Sequence, residues 1–227
     1  MKQPFIDVII AVYNGAPYIQ EAIASVQAQT YPNFRILVAD DGSTDNTLDL
    51  VKKLSQEDPR ITVLHYPHRG VSATINSAVS ASSSPYVAFL DADDLFHNQK
   101  LEKQMQALLD NEASIVFCLL QEFESLNELE KPTHRARTRP LKGYSKIAFL
   151  GKREVFDTYG LFDEQVAIGD FVDWFARVVR AKAPVTMVEE VLAYRRIHAN
   201  NTTRTAPKTA FLSLLKMHLD EKRRKTE

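Results

Sequence analysis

Three aspartates stand within four positions of one segment, and this spacing is the first feature of the chain that points to chemistry. Asp91, Asp93 and Asp94 follow the apolar run YVAFL. Carboxylates this close repel one another and resist ionising together, so a positive partner is needed to stabilise them. On an extended strand, residues two apart share a face, so Asp91 and Asp93 can point the same way. Two such carboxylates favour a cation that prefers oxygen ligands, Mg²⁺ or Mn²⁺.

Polar residues also follow two earlier apolar segments. Tyr13 and Asn14 come after the run IDVIIAV, and the segment DDGS at 40–43 comes after the run FRILVA. If these segments are parallel strands, their carboxyl ends meet at one edge of a sheet, where ligands bind in folds of this kind. An acidic cluster by itself can equally cap the next helix or face water. The coincidence of the clusters at one edge favours a binding site.

The elements that must position these residues alternate regularly through residue 118. Short β-branched runs predict strands, and apolar residues three and four positions apart predict helices. This alternation predicts right-handed crossovers and an α/β fold with a mostly parallel, Rossmann-like sheet flanked by helices. The predicted strands are FIDVIIAVY, FRILVAD, ITVLHY, YVAFLD and ASIVFC, and the helices between them are PYIQEAIASVQAQT, NTLDLVKKLSQE, GVSATINSAVSAS and HNQKLEKQMQALLDNE. Ser43 or Asp45 can cap the second of these helices.

The regular pattern ends after residue 118. Residues 119–143 are highly charged and lack apolar periodicity, which is typical of a variable connection or lid. Residues 144–204 contain a predicted helix, DFVDWFARVVRAKA, and short predicted strands near VTMVEE and VLAYRRIH. Residues 205–227 predict a C-terminal helix with a basic tail.

The composition argues against several classes of protein. The chain has 227 residues, of which 44% are hydrophobic and 25% charged, as in an ordinary globular protein with a sizeable core. A net charge of −1 does not support a general nucleic-acid-binding protein. The single cysteine, Cys118, excludes an internal disulfide. The chain shows no signal peptide and no apolar run approaching ~18 residues, so we expect a soluble, cytoplasmic protein.

Two glycine-rich phosphate-binding motifs are absent from the sequence. The chain contains neither G-x-x-x-x-G-K-[ST] nor G-x-G-x-x-G, and it has only 7 glycines. A nucleotide diphosphate bound to this chain would therefore depend on a metal ion for most of its charge neutralisation.

The sequence resembles the family-2 glycosyltransferases of GT-A fold. The resemblance rests on VIIAVYNGAPYIQEAIASVQAQTYPNFRILVADDGSTDNT and on GVSATINSAVSASSSPYVAFLDADD, and it continues weakly to about residue 203. It implies a nucleotide-sugar-binding half at 1–118, a variable connection at 119–143, a smaller acceptor-side catalytic region at 144–204 and a terminal helix at 205–227. It further implies an inverting hexosyltransferase-type enzyme of cell-surface polysaccharide biosynthesis, which uses a UDP-sugar and Mn²⁺ or Mg²⁺.

The resemblance also implies roles for individual residues. Tyr13 would stack on the base, and Asp41 would accept a hydrogen bond from it. Asp91 would face the ribose or the metal shell, Asp93 would ligate the cation that bridges the two phosphates, and His198 would be a third protein contact to the metal. The remaining donor-binding positions implied are Ala11, Asn14, Arg69 and Ala92.

The family usually takes its general base from an E-D pair before a tryptophan-bearing helix. The matching stretch here, AIGDFVDWFARV, lacks that pair, so Asp170 is the first candidate base and Asp173 the second. Asp170 can alternatively serve only as a helix cap, and Trp174 can line the acceptor site or lie in the core. Relatives carry an arginine where this chain has Ile75, and Arg69 can replace that cation.

Three other functions are alternatives to the transferase. A sugar-1-phosphate nucleotidylyltransferase would carry a glycine-rich loop with arginine after the first strand, which AVYNGAPYI does not provide. A receiver-type signalling domain would carry acidic residues after that strand. A degenerate transferase that binds the nucleotide sugar without turnover stays open, because the E-D pair is absent.

The expected partners follow from the same resemblance. They are a nucleotide sugar and an acceptor, which can be a glycan, a lipid-linked glycan or a small molecule; no nucleic acid is expected. Arg195 and Arg196 can reach the donor's diphosphate. The C-terminal helix, with four apolar residues on one side, can dock on the catalytic domain, form a homodimer or rest on a membrane surface.

Overall fold

The computed structural model describes residues 3–124, 139–142, 144–166, 169–198 and 201. The predicted helix at 205–227 and most of the predicted connection at 119–143 lie outside the described residues. None of the helices in the described ranges is long and apolar enough to cross a membrane.

The described residues form an α/β fold whose first part follows the predicted order of elements. A 3₁₀ turn at Lys146–Ala148 precedes the strand at Leu150–Lys152. The elements are β1 Ile6–Val12, α1 Ile19–Gln27, β2 Phe34–Asp40, α2 Thr47–Glu57, β3 Ile61–His65, α3 Val71–Ala81, β4 Tyr86–Asp91, β5 Leu95–Phe96, α4 Lys100–Asp110, β6 Ile115–Phe123, β7 Leu141–Lys142, β8 Leu150–Lys152, α5 Glu154–Tyr159, α6 Asp170–Arg180 and β9 Val185–Arg196.

The strands form one mixed sheet in the order β3-β2-β1-β4-β8-β6-β9-β5, with β7 paired to β6. The neighbours β3–β2, β2–β1, β1–β4 and β6–β9 are parallel, and β8 runs antiparallel between β4 and β6. The chain leaves β1 toward β2 and β3 and then returns to β4 on the other side of β1. The strand order therefore switches direction between β1 and β4, where open α/β sheets bind their ligands.

Two hydrophobic cores lie on the two faces of the sheet, because successive side chains of a strand point to opposite faces. Val8 and Ile10 of β1 pack in a core with the apolar sides of α1, α2 and α4. Ile9 packs in the other core, which lies beneath α3 and α6 and is rich in aromatic rings. Trp174 is fully buried there, and its Nε1 donates to the carbonyl oxygen of Gly160 at 2.8 Å. Trp174 therefore lies in the core and does not line the acceptor site.

Three local expectations differ from the structure. The fifth predicted strand, β6, continues to Phe123 instead of ending at Cys118, because it pairs with β9 as far as Arg196. The two short strands predicted near residues 185–198 are one twelve-residue strand, β9, which absorbs an irregularity in its register with β6. Helix α2 begins after Asn46. Of the two capping candidates, Ser43 instead accepts from the Asn14 backbone N–H, whereas Asp45 Oδ1 accepts from the Thr47 N–H at 3.0 Å.

Candidate active site

The register of the central strands brings the polar positions together. Ala11 pairs with Ala39 of β2 on one side and with Asp91 of β4 on the other. Tyr13, Asp41 and Ala92 follow directly after these strands, so all lie at one edge of the sheet. Because alanine has no polar side-chain atom, Ala11 and Ala92 can offer a ligand only their backbone groups.

Asn14 clamps the loop after β2 to the end of β1. Its backbone has a φ of 51°, a left-handed conformation that asparagine tolerates better than most residues. Its Oδ1 accepts from the backbone N–H groups of Thr44 at 2.8 Å and Asp45 at 3.3 Å. Its own N–H donates to the Ser43 hydroxyl at 2.9 Å. The predicted donor-binding Asn14 thus uses its carbonyl oxygen to position the neighbouring loop.

Asp41 is the centre of a hydrogen-bond network that joins β2 to the start of α3. Its buried carboxylate accepts from the backbone N–H groups of Arg69 at 2.8 Å and Gly70 at 2.9 Å, and from the Thr74 hydroxyl at 2.7 Å. His68 Nδ1 lies 2.9 Å from Asp41 Oδ2. Sequence reasoning missed Thr74, although a buried hydroxyl inside a small-residue helix signals a need for a partner.

Tyr13 stands half-exposed at the same edge, as base stacking would require. Its ring stacks on the ring of His68, with centroids 4.1 Å apart and planes 25° apart. The guanidinium of Arg69 rests along α3, where Nη2 donates to the Ser77 hydroxyl at 2.8 Å. Ile75 is buried in the aromatic core, so its side chain does not face this edge.

The three neighbouring aspartates leave the strand in different directions. Strand β4 ends at Asp91, and the backbone N–H of Asp94 donates to the Asp91 carbonyl oxygen at 3.1 Å, which closes a turn. The same-face argument for Asp91 and Asp93 therefore fails, because Asp93 lies in the turn and not on the strand. Asp94 is buried and accepts from the Arg196 backbone N–H at 2.7 Å. Burial, together with the Asp93 and Asp91 charges, raises the pKa of Asp94 well above its ordinary value.

Asp93 meets His198, 105 residues away in the sequence, at 2.7 Å. Because the carboxylate only accepts, His198 Nε2 carries the hydrogen and donates to Asp93 Oδ2. Asn201 fixes this pair: its Nδ2 donates to Asp93 at 3.3 Å, and its Oδ1 accepts from the His198 backbone N–H at 2.7 Å. The ring of Tyr18 stacks on His198 with centroids 5.0 Å apart. Sequence reasoning missed both supporting residues, Asn201 and Tyr18.

Of the three metal ligands that the sequence predicts, Asp91, Asp93 and His198, the structure brings Asp93 and His198 together. Within the described residues, no three His, Cys, Asp or Glu side chains converge into a metal-binding group, so Asp91 does not complete a set with Asp93 and His198. Adjacent ligand atoms of an octahedral ion with bonds of ~2.1 Å are ~3 Å apart. The Asp93–His198 pair, at 2.7 Å, is close to that spacing. The pair fits a hard divalent cation whose other ligands come from substrate oxygens and water.

Asp170, the first residue of α6, is held close to the acidic turn by two other elements. The Ser72 hydroxyl of α3 donates to its Oδ2 at 3.1 Å, and Lys146 Nζ lies 3.0 and 3.3 Å from its two oxygens. Burial raises the pKa of Asp91; the Lys146 charge opposes that rise, while Asp93 and Asp170 add to it. Lys146, which sequence reasoning also missed, is therefore a positive partner of this carboxylate cluster.

Asp170 and Asp173 have different surroundings although they lie one turn apart. The helix cap is Gly169, and the Asp170 carboxylate accepts from the Phe171 backbone N–H at 2.8 Å and contacts Ser72 and Lys146. Asp173 lies 3.5 Å from Arg177 of the same helix.

The two arginines at the end of β9 pair within the protein. The buried guanidinium of Arg196 donates to the Asp93 carbonyl oxygen at 2.9 Å and to the Glu21 carboxylate. It therefore stabilises the backbone of the turn at residues 91–94. That arrangement replaces the expected contact of Arg196 with a diphosphate. Arg195 lies 3.7 Å from Glu122.

Comparisons with known proteins show the family of the chain. The family model described as glycosyl transferase family 2 matches residues 7–162. An uncharacterised glycosyltransferase of Rickettsia prowazekii (strain Madrid E) is 34% identical over 230 residues, which covers 91% of this chain and 69% of that protein.

Two solved structures share the fold. TarS 1-349 of S. aureus in complex with UDP-GlcNAc has a TM-score of 0.72 at 20% identity, covering 89% of this chain and 61% of its own. The mannosyltransferase PcManGT of Pyrobaculum calidifontis, in complex with GDP-Man and Mn²⁺, has a TM-score of 0.70 at 20% identity, covering 88% and 59%. This chain thus spans about three fifths of each structure, and the likeness confirms the predicted fold.

Proposed function

Because the chain belongs to glycosyl transferase family 2 and is a glycosyltransferase of GT-A-like fold, we propose that it moves a sugar from a nucleotide diphosphate, a UDP-sugar first of all, to an acceptor hydroxyl with inversion and metal assistance. The observation that carries this proposal is the Asp93–His198 pair at 2.7 Å, at the carboxyl end of β4 and at the switch in strand order. It supports a place for a divalent ion at the point where a ligand of this fold binds.

The donor site is proposed along the ends of β1, β2 and β4. Tyr13 offers an aromatic face to a base, and Asp41 offers a carboxylate to a base N–H. The fold neighbours TarS and PcManGT, bound to UDP-GlcNAc and to GDP-Man with Mn²⁺, support a nucleotide sugar as the ligand. The identity of the donor base as uracil follows the original resemblance to the family.

Asp93 and His198 would hold the cation, Mn²⁺ or Mg²⁺. The cation would take the place of the hydrogen that Nε2 donates to Asp93, and Nδ1 would then carry the imidazole hydrogen. Asn201 and Tyr18 would fix the orientation of the imidazole. When bound, the cation would supply charge neutralisation for the departing diphosphate. Asp91, whose ionisation burial disfavours, would face the ribose or the outer part of the metal shell.

Asp170 is proposed as the general base. Its carboxylate would take the proton from the acceptor hydroxyl as that oxygen attacks the anomeric carbon. Ser72 and Lys146 hold the carboxylate in one orientation, and orientation is a large part of the efficiency of a positioned base. The region at 144–204 would then form the acceptor side, and the acceptor would be a glycan, a lipid-linked glycan or a small molecule.

The proposal is tested by sugar transfer and donor hydrolysis with UDP-sugars and Mn²⁺. We expect Asp93→Ala to abolish metal-dependent turnover, since it removes one of the two cation ligands. Asp110→Ala is the matched control, because the Asp110 carboxylate accepts only a local bond from Gln106 on the outer helix α4. Full activity of Asp93→Ala would refute the proposed metal site.

A further inference from the structure

The ring of His68 occupies a defined position at the edge of the sheet. It stacks on Tyr13 with centroids 4.1 Å apart. Its Nδ1 lies 2.9 Å from Asp41 Oδ2 and 3.1 Å from the Asp41 carbonyl oxygen. Both of these atoms are acceptors, so Nδ1 carries a hydrogen. It donates that hydrogen to the Asp41 carbonyl oxygen, and the carboxylate lies beside it.

These two contacts have the chemistry of a nucleobase. A planar ring that lies on the Tyr13 face and donates a ring N–H to Asp41 is what the proposed function requires of uracil. The imide N–H of uracil is such a donor, and uracil is a planar ring larger than an imidazole. His68 and a base therefore cannot occupy this place together.

His68 is the partner of Asp41 that can leave. A carboxylate has about four lone-pair directions, and the bonds from Arg69, Gly70 and Thr74 use three of them. Those three bonds come from the backbone and from a buried hydroxyl at the start of α3. One direction remains for a base N–H. His68, whose Nδ1 lies 2.9 Å from Oδ2, has a side chain that is 56% exposed and can turn toward solvent.

We propose that His68 occupies the base-binding place in the nucleotide-free chain and that the nucleobase displaces it. The inference rests on the proposed nucleotide-sugar function and adds to it a residue that sets donor affinity. The fraction of molecules with His68 turned away limits the apparent affinity, because only those molecules present Tyr13 and Asp41 to the base. Removing the His68 ring would make every molecule competent.

The experiment compares UDP binding by isothermal titration, in the presence of Mn²⁺, for the wild type, His68→Ala and His65→Ala. We expect His68→Ala to bind UDP about two- to tenfold more tightly, the range given by the loss of one aromatic pair. His65 is the matched control: its Nδ1 lies 2.9 Å from Asp40 Oδ2, and its side chain is 53% exposed. His65→Ala should bind UDP like the wild type.

Pyrophosphate with Mn²⁺ serves as a second probe, since it has no base. Its affinity should be the same for the wild type and His68→Ala. The inference is overturned if the wild type binds UDP and His68→Ala binds it equally well or more weakly. It is also overturned if pyrophosphate binding tightens as much as UDP binding, because the effect would then not concern the base. Absence of UDP binding in all three proteins would contradict the proposed function together with this inference.

Discussion

The three aspartates after β4 share a residue type and a short segment, and the fold gives each of them a different role. Asp94 is buried against the backbone of Arg196 and fixes the end of β9. Asp93 pairs with His198 and is the proposed ligand of a cation. Asp91 lies among Asp93, Asp170 and Lys146, which influence its ionisation. Burial and partners, which depend on tertiary structure, separate these roles.

At the residue scale, the assignment of the general base gives the first prediction. We expect Asp170→Asn to lower turnover by about 10² to 10⁴ while UDP binding is retained, because the amide keeps the shape of the side chain and cannot take a proton. Asp173→Asn, with a partner on its own helix, should lose much less activity. Steady-state kinetics and UDP titration on both variants check this. If Asp173→Asn proves the more damaging change, the base is Asp173.

A second prediction at this scale concerns Lys100, which lies outside the site. Its buried ammonium donates to Gln104 at 2.7 Å and to the Phe149 carbonyl oxygen at 3.2 Å. Burial lowers the pKa of Lys100 from 10.5 to about 8. Between these two values the unfolded chain binds more protons than the folded chain, so the free energy of unfolding rises with pH. Below the folded-state pKa, the cost of burying the charge is present in full.

The expected rise is about 2 kcal/mol between about pH 8 and about pH 10. Other groups titrate in this range, so the quantity to measure is the difference in unfolding free energy between the wild type and Lys100→Met. Urea denaturation at a series of pH values gives this difference. The unfolding free energy of the wild type should rise by that amount relative to the variant as pH increases. A difference that stays constant with pH would show that Lys100 is protonated to the same extent in the folded and unfolded states, which contradicts a lowered pKa.

At the scale of elements, helix α3 joins the two parts of the candidate site. Its Thr74 hydroxyl binds Asp41 at 2.7 Å, and its Ser72 hydroxyl binds Asp170 at 3.1 Å. The side chain of Asn76 donates to the Phe162 carbonyl oxygen at 2.9 Å and accepts from the Phe162 N–H at 3.0 Å. One helix therefore positions both Asp41, the proposed contact to the nucleobase, and Asp170, the proposed general base.

Thr74→Val tests this role of α3. The change keeps the shape of the side chain and removes the hydroxyl, so we expect the unfolding free energy to fall by about 1–3 kcal/mol and UDP binding to weaken. Ser80→Ala is the control, since the exposed Ser80 hydroxyl bonds only back to the Asn76 carbonyl of the same helix. Equal effects of the two changes would mean that the Thr74–Asp41 bond contributes nothing specific.

The sequence predicted the elements best where local pattern decides them. The alternation of strands and helices through residue 118 predicted the parallel half of the sheet, and polar residues after β1, β2 and β4 predicted the edge where they meet. It failed for β6 and β9, because pairing between two distant segments extends both strands across charged residues. Lys146, Thr74 and Asn201 were missed for a similar reason: each binds an aspartate 24 to 108 residues away.

At the scale of the whole molecule, the aromatic core connects the first part of the chain to the last. Phe89 of β4 stacks on Phe149, whose centroid is 5.4 Å away, and Trp174 of α6 stacks on Phe156 of α5 at 4.8 Å. Phe149 and Trp174 meet edge to face at 5.8 Å. This continuous core predicts that the donor side and the proposed acceptor side unfold as one unit.

Trp174→Ala should lower the unfolding free energy by about 3–5 kcal/mol, since it removes a large, fully buried ring and leaves a cavity. Unfolding should remain a single transition when followed by circular dichroism and by tyrosine fluorescence. Trp174→Phe, which keeps an aromatic ring, should lose less. Two separate transitions in the wild type would contradict a shared core.

The most direct test of the central claim is a crystal structure of the chain with UDP and Mn²⁺. We predict manganese bound by the Asp93 carboxylate and His198 Nε2, with the diphosphate completing its coordination and the uracil lying on Tyr13. Nucleotide bound elsewhere on the molecule, with no ion between Asp93 and His198, would contradict it.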